Sequence, residues 1–414
     1  MRPISDPAAP ASAALARVAR GQLCTGCGLC AAIAPVAVAM QMTPGGYLRP
    51  RQHAALNPLQ EQHISQACPG LRVTTPSPLP ADPLWGPMLE VAAGHSSDAG
   101  LRYSASSGGV ISALLQHALD TGLVDFVVQT GADPARPTAN RTGISATAAD
   151  IAAAAGSRYA PSSPLAGLED WLARPGRFAL VGKPCDISAL RARARQDPRL
   201  AARIPLMLAF FCAGIPSAAG TSRILERLGV AEQDVTGFRY RGDGWPGYAT
   251  ATLKDGASRR MSYSDSWGQI LSKEVQFRCK ICPDAVGGAA DIACADAWFG
   301  DERGYPSFEE QDGRSLVVTR TPAGQRLLDS ARAAGRLHTT PLAPSDILRM
   351  QPHQARRKRQ LLSRLAAMAL AGRPVPRFRG QSLWAAARQE SLTGHVRSFA
   401  GLLRRLLLGR LEGA

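Results

Sequence analysis

Residues 106–130 read SSGGVISALLQHALDTGLVDFVVQT. Val110, Ile111, Leu114, Leu115, Ala118 and Leu119 recur at helical spacing behind two serines and two glycines. The period then changes: LVDFVVQT (123–130) is short, apolar and valine-rich, the pattern of a buried strand. Further along, FALVG (178–182) and the apolar stretch ending at Cys212 repeat the strand signal, each running into a loop. A helix is expected around 217–228. Segments 248–254 and 257–263 flank Asp255-Gly256, a two-residue hairpin turn. A strand at 315–320 precedes a helix from about 322 to 334. Helical and strand patterns in this alternation predict an α/β chain with a mixed, substantially buried sheet, and α+β is the alternative.

At 414 residues with 45% apolar content, the chain is long enough for two or three domains and a real core. No run reads as a membrane span. The most apolar stretch, 204–219, is broken by Pro205, Gly214 and Pro216 and falls short of ~20 residues. Residues 1–22 form an Ala/Pro/Arg leader in which Arg17 and Arg20 interrupt any apolar run. It is expected to be flexible rather than a signal peptide, which places the protein in the cytoplasm. The Pro-rich link TTPSPLPADPLWGP (74–87) marks a boundary. The expected organisation is a leader over 1–22, a cysteine segment over 23–72, a core in two parts (85–170 and 171–345), and a helical tail over 346–414.

The net charge is +16, but residues 351–414 carry thirteen Lys or Arg against two Glu, a net of +11. Charge confined to a tail, without interleaved aromatics, argues against nucleic-acid binding. Over 395–411 a helix would put Val396, Phe399, Leu403, Leu406 and Leu407 on one face and Arg397, Arg404 and Arg405 toward another. Packing against the body is its first reading. Docking on an anionic membrane, at the inner face, or on a partner protein is the second. The RRKR run at 356–359 reads as a solvated helix edge.

Eight of the nine cysteines sort into two fours. CTGCGLC supplies Cys24, Cys27 and Cys30, and Cys68 follows in CPG. GKPC holds Cys185, FFC holds Cys212, and CKIC holds Cys279 and Cys282. Grouped thiolates in an intracellular protein point to metal rather than disulfides. The C-x₂-C-x₂-C run opens a bacterial ferredoxin-type 4Fe–4S site, with Ala34 where the fourth cysteine of that pattern would stand. Cys68 is then the remaining ligand of a first cluster, and the rival is a structural Cys₄ zinc site. By spacing alone the second four stay open between ligands and packed core residues. Cys294 reads as a buried bystander. His53 and His63 read as surface residues, Asp291 and Asp296 as cap or salt-bridge formers, and Trp245, Trp267 and Trp298 as core. Ser106 to Gly109 at a helix start is either a phosphate cradle or a simple cap.

Five segments in order carry a resemblance: YSASSGGVISALL (103–115), GSRYAPS (156–162), VGKPCDISAL (181–190), FFCAGIPS (210–217) and FRCKICPDAVGGAADIACADAW (277–298). Together they resemble the coenzyme F-420 hydrogenase/dehydrogenase beta-subunit family, whose members include iron–sulfur flavoprotein reductases of 7-hydroxymethyl chlorophyll a and divinyl chlorophyllide. The likeness spans about 20–345. It implies a ferredoxin-like N-terminal segment ahead of a flavin-binding core, with FAD and two 4Fe–4S clusters. Cys24, Cys27, Cys30 and Cys68 would hold one cluster. The family's GxPC, FC and CxxC cysteines fall on Cys185, Cys212, Cys279 and Cys282, which would hold the other. Tyr103, Ser106, Ser107, Gly108, Gly109, Arg158, Tyr159 and Lys183 would contact the flavin. Cys294 departs from the family pattern and stays outside the ligand set. The implied activity passes electrons from a ferredoxin-like donor to FAD and on to an organic substrate, with no catalytic side chain singled out. An F-420-dependent enzyme and a non-catalytic electron-transfer subunit are the alternatives, with a zinc-stabilised nucleic-acid binder behind them.

Overall fold

Phe178–Gly182 is buried at every position, as a strand covered on both faces must be. In the computed structural model, which describes residues 11–75, 79–300, 307, 309–409 and 411, it lies inside an eight-stranded sheet. From edge to edge the strands are Leu337–Pro341, Glu90–Ser96, Ser315–Thr319, Ile292–Asp296, Leu206–Phe210, Phe178–Gly182, Phe126–Ala132 and Asn140–Ser145. The four from Ile292–Asp296 to Phe126–Ala132 run parallel. Antiparallel strands flank them on both sides. The mixed α/β sheet expected from the residue pattern is the one observed.

Alternation along the strands builds two cores. Phe126, Val128, Phe178, Leu180 and Met207 pack on one face against Leu168, Ile187 and Leu190. Val127, Ala179, Val181, Leu206 and Leu208 pack on the other against Leu114, Leu115, Leu327 and Leu328. Each large side chain fully buried in this way contributes about 1.5–3 kcal/mol. The helices Val110–Asp120 and Pro322–Ala333 supply the second face, and Pro184–Ala194 the first. A smaller antiparallel sheet is made by Val235–Arg239, Tyr248–Leu253 and Ser258–Ser262. Its Asp255-Gly256 turn closes with Gly256 at φ +83°, a conformation glycine adopts without strain.

At the chain ends one expectation changes and one holds. Of the leader 1–22, residues 1–10 lie outside the described part, and Ala13–Gly21 is a helix rather than loose chain. The Ser12 hydroxyl accepts from Leu15 N–H and caps it, while Ala14, Leu15 and Val18 turn inward. Arg17 and Arg20 fall on the outer face, so they interrupt the linear run without interrupting the buried stripe. The tail helix is Leu392–Leu407. It buries Leu402 and Leu406 against Leu361, Met368, Phe277 and Ile281. A short strand, Arg377–Arg379, also pairs with Arg72–Thr74 beside the first cysteine segment. The tail is thus packed on the body. No helix among the described residues is long and apolar enough to cross a membrane.

Candidate metal centres and the adjoining cavity

In CTGCGLC, Gly26 and Gly28 sit at φ +81° and +86° and let the chain wind tightly around Cys24, Cys27 and Cys30. A side chain at Gly28 would meet the Ala166 backbone nitrogen at 2.8 Å. Cys68 ends the helix Pro58–Ala67, which presents it to the same place. Each of the four thiols lies within electrostatic reach of the others. Burial, and then the neighbouring Cys24, pushes the Cys68 thiol up to about 11. Burial and the other cysteines raise Cys30 as well. Cys27 is buried and the other three are half-buried, and thiols that repel one another's ionised forms in this way are stabilised by the positive charge a metal centre supplies on binding.

The second four come from two strand ends and one short helix. Cys185 opens the helix Pro184–Ala194 directly after Phe178–Gly182, and Cys212 follows Leu206–Phe210 by two residues. Cys279 lies in the short helix Phe277–Lys280, with Cys282 just beyond. Gly214, at φ +137°, lets the Cys212 loop close on that segment, since a Cβ there would be 2.4 Å from Val275 Cγ1 and 3.3 Å from Cys279 Cβ. Burial first, then Cys279 and Cys282, pushes Cys212 up to about 12. Cations face this set. Lys183 is buried against Asp186 at 2.8 Å and acts electrostatically on Cys185 and Cys212. Arg357 donates to the carbonyls of Cys212 and Ala213 at 3.2 and 2.7 Å.

None of the nine cysteines, all of them among the described residues, is joined in a disulfide. Among the described residues, no three or more His, Cys, Asp or Glu side chains are placed to hold a single metal ion. What the structure supplies is two groups of four thiols, half-buried except for the buried Cys27, with Lys183, Arg278 and Arg357 beside the second and the carboxylates of Asp186 and Asp284 near it as well. That donor chemistry fits thiolate-held iron–sulfur clusters, which carry net negative charge. His53 is exposed, and the His63 ring meets Arg193 Nη1 at 3.1 Å, so neither joins a set.

Parallel strands end on one edge of the sheet, where ligands of α/β proteins bind. There a cavity of about 290 Å³ opens beside Cys212. The start of the helix Val110–Asp120 forms one wall. Gly109, at φ +74°, precedes it and no side chain caps it, and Gly109, Val110, Ile111 and Ser112 line the cavity, so the end of the helix that favours an anion borders that space. Ser106, Ser107, Gly109, Arg158, Tyr159 and Lys183 all line the space. Their roles differ. Ser106 Oγ accepts from Ser157 N–H at 2.6 Å, and Ser107 Oγ donates to the Arg314 carbonyl at 2.9 Å, so both fix loops. Arg158 donates to Asn140 Oδ1 and to the carbonyls of Phe238, Pro137 and Ala139, all within 2.9 Å, and ties strands together.

Two expected contacts are not brought to the cavity. Tyr103 lies on the outward side of the helix Ala99–Ser104, whose inward residue is Leu101, and is 60% exposed. Gly108 is wedged against the sheet instead. A Cβ would stand 2.5 Å from the Gly94 oxygen and 2.8 Å from the Ser315 nitrogen. Conversely, Cys294 is buried as expected yet lines the cavity.

The opposite wall went unforeseen as a unit. Arg241 pairs with both Asp296 oxygens at 2.9 Å and lies over the rings of Tyr263 and Trp298. Trp245 Nε1 donates to Asp296 Oδ1 at 2.8 Å and its ring stacks on Trp298. The signal was RGDGWPG (241–247), a run of turn formers around two functional side chains. An anion cradle, flat aromatic walls and a neighbouring thiol set fit a planar, phosphate-bearing redox cofactor.

Residues 91–169 match the family model "coenzyme F420 hydrogenase/dehydrogenase, beta subunit N-term", and residues 176–345 match its C-terminal counterpart. The coenzyme F420 hydrogenase subunit beta of Methanothermobacter thermautotrophicus is 25% identical over 303 residues, covering 70% of this chain and 99% of that protein. The F420-dependent formate dehydrogenase 1 subunit beta of Methanococcus maripaludis is 25% identical over 256 residues, 59% and 60% of the two chains. A chain of the F420-reducing [NiFe] hydrogenase complex from Methanosarcina barkeri shares the fold. Its TM-score is 0.52 at 22% identity, over 69% of this chain and 96% of that one.

Proposed function

The chain belongs to the coenzyme F420 hydrogenase/dehydrogenase beta-subunit family, and from that premise we propose that it is an FAD-dependent iron–sulfur oxidoreductase. It takes electrons from a ferredoxin-like donor and delivers them to an organic substrate. Its relatives are oxidoreductase subunits by name.

In this reading Cys24, Cys27, Cys30 and Cys68 hold one 4Fe–4S cluster, and Cys185, Cys212, Cys279 and Cys282 hold the other. FAD lies in the cavity beside Cys212. When bound, the clusters exchange single electrons and the flavin couples them to two-electron chemistry on the substrate. The protein's own residues do the rest. The uncapped start of the helix Val110–Asp120 binds the cofactor's phosphate charge. Lys183 offsets the negative charge that Cys185 and Cys212 carry as ligands. Arg241 and Asp296 hold the aromatic wall in place and keep water from that side.

One observation carries the reading: Cys212 belongs to a half-buried group of four thiols and also lines a cavity that an uncapped helix start borders. Anaerobically purified protein should show flavin maxima over a broad shoulder, with about eight irons and as many acid-labile sulfides per chain. Zinc without sulfide, or a colourless protein, would end the proposal. A second reading, an electron-transfer subunit without turnover of its own, is favoured by the curated relatives being named as subunits. Donor-driven substrate reduction by the isolated chain separates the two.

A further inference from the structure

A second cleft, of about 1180 Å³, lies between the C-terminal helices and the segment 263–281. Six arginines line it: Arg356, Arg357 and Arg359 from the helix Pro352–Arg359, Arg364 from Leu361–Leu370, and Arg397 and Arg405 from Leu392–Leu407. Glu390 is the one carboxylate among the described lining residues, and it is already engaged by Gln360 and Ser391. None of the six arginines makes an ion pair among the described residues. Arg364 is instead spent on Ser398 Oγ, Gln360 Oε1 and the Lys280 carbonyl. Arg359 Nε is buried with no acceptor.

Six arginines along one cleft with so little negative charge repel one another, although Arg357 also donates to the carbonyls of Cys212 and Ala213. Burial, followed by Arg357, Arg405 and Arg356, pulls Arg364 down to about 10. Two of the three tail helices pack together through Leu361, Met368, Leu402 and Leu406, and the third, Pro352–Arg359, is anchored through Ala355 in a separate apolar cluster. A merely solvated basic edge, as the RRKR run reads in isolation, would spread its charges outward. Here helices from three separate stretches turn them onto a common concavity. Guanidinium forks match phosphate and carboxylate oxygens in pairs, and a concave site of this size suits a small molecule better than a protein surface.

The cleft is not isolated from the redox cavity. Ala213, Tyr263, Trp267, Trp298, Gln351 and Gln354 line both spaces. A molecule seated on the arginines therefore reaches that aromatic wall. The residues that supply the charge lie beyond 345, outside the two family-model matches.

We infer that the arginine cleft is an oxyanion site that holds the anionic end of the substrate, a phosphate or a pair of carboxylates bearing at least two negative charges. The word substrate rests on the oxidoreductase reading; the anion site does not.

The test is calorimetric titration of the full, cofactor-loaded chain with inorganic pyrophosphate and, separately, with citrate at fixed ionic strength. Saturable binding of one equivalent is expected. The triple variant Arg356→Ala/Arg397→Ala/Arg405→Ala removes exposed guanidiniums and should weaken it about tenfold or more. A control with equal loss of charge elsewhere, Arg51→Ala/Arg227→Ala/Arg259→Ala, should bind like the parent. Should the triple variant fold poorly, Arg397→Ala alone should weaken binding roughly threefold. Binding of pyrophosphate only assigns phosphate as the source, and of citrate only, carboxylate. No saturable binding of either, or equal weakening in the control, overturns the inference. The absorbance of the same sample reports the redox reading separately: a colourless protein that still binds pyrophosphate through these arginines sinks that reading and leaves the site standing.

Discussion

The side-chain amide of Gln276 donates to the carbonyl of Thr25 across 3.3 Å. The same nitrogen lies 3.5 Å from Cys279 Sγ, and Arg49 donates to the Gln276 oxygen at 2.9 Å. One buried amide therefore touches the CTGC loop of the first thiol set and a member of the second. Its neighbour Arg278 reaches the first set too, donating to the carbonyl of Pro69 at 2.8 Å. The two sets are joined by hydrogen bonds rather than by mere proximity. On the proposed reading, that contact links the two cluster sites.

Gln276→Leu removes both donors at similar bulk and leaves the Thr25 carbonyl without its partner. It should cost about 1–3 kcal/mol of stability, measured by denaturant titration. Donors to cluster sulfur favour the reduced form, so the potential of the second centre should fall by tens of millivolts in a redox titration followed by EPR. An unchanged potential together with lowered stability would leave Gln276 a structural residue only.

Cys27→Ser and Cys279→Ser address the two sets separately. Each variant should lose about half of the iron, and Cys27→Ser should keep its flavin because the cavity lies by the other set. If Cys27→Ser left donor-driven flavin reduction at the parent rate, the first set would not be the port of entry. Full iron content in either variant would remove that cysteine from the ligand list.

Gly108→Ala tests the cradle from behind. The new methyl would stand 2.5 Å from the Gly94 oxygen and 2.8 Å from the Ser315 nitrogen, both backbone atoms of sheet strands. Neither can step aside alone, so the helix start must shift. A loss of about 2–4 kcal/mol is expected, with most of the bound flavin. Ser107→Ala, which removes one hydroxyl and no space, should retain flavin.

The sheet was legible because its middle strands are covered on both faces. FALVG cannot be anything polar on either side, and the observed strand has the expected bounds. Cysteine identity likewise pointed at chemistry without coordinates, since few residue types gather in fours. Arg241 and Asp296 escaped for the opposite reason. They lie 55 residues apart and meet only when the small antiparallel sheet folds over the strand end. Tyr103 shows the limit of motif transfer, because one turn of helix decides which side chain of YSASSGG faces inward. In the leader, the arginines masked a helix whose buried stripe is Ala14, Leu15, Val18 and Gly21.

Asp296→Ala would strand the Arg241 guanidinium, whose side chain is 2% exposed, without its carboxylate. Breaking a buried pair from one side costs about 3–5 kcal/mol. Asp296 also accepts from Trp245, so the Trp245–Trp298 stack should loosen and tryptophan fluorescence shift to the red. A stability within ~1 kcal/mol of the parent would show that water replaces the carboxylate at little cost.

His117 gives the fold a pH dependence of its own. The side chain is buried on the helix Val110–Asp120 with Nε2 and Ser330 Oγ 2.8 Å apart. Burial, and then the Arg336 charge, hold its pKa below the ordinary histidine value. The native state therefore keeps the ring neutral at a pH where the unfolded chain already binds a proton. Above about pH 6.5 neither state is protonated there and the full stability is present. As pH falls below that value the unfolded state takes up the proton first, and stability declines until the native ring titrates as well. Thermal melts should show a drop in Tm below about pH 6.5 that is shallower in His117→Gln, which keeps a polar partner for Ser330 and cannot titrate. Parallel Tm profiles for parent and variant between pH 5 and 7 would assign the acid sensitivity to other groups.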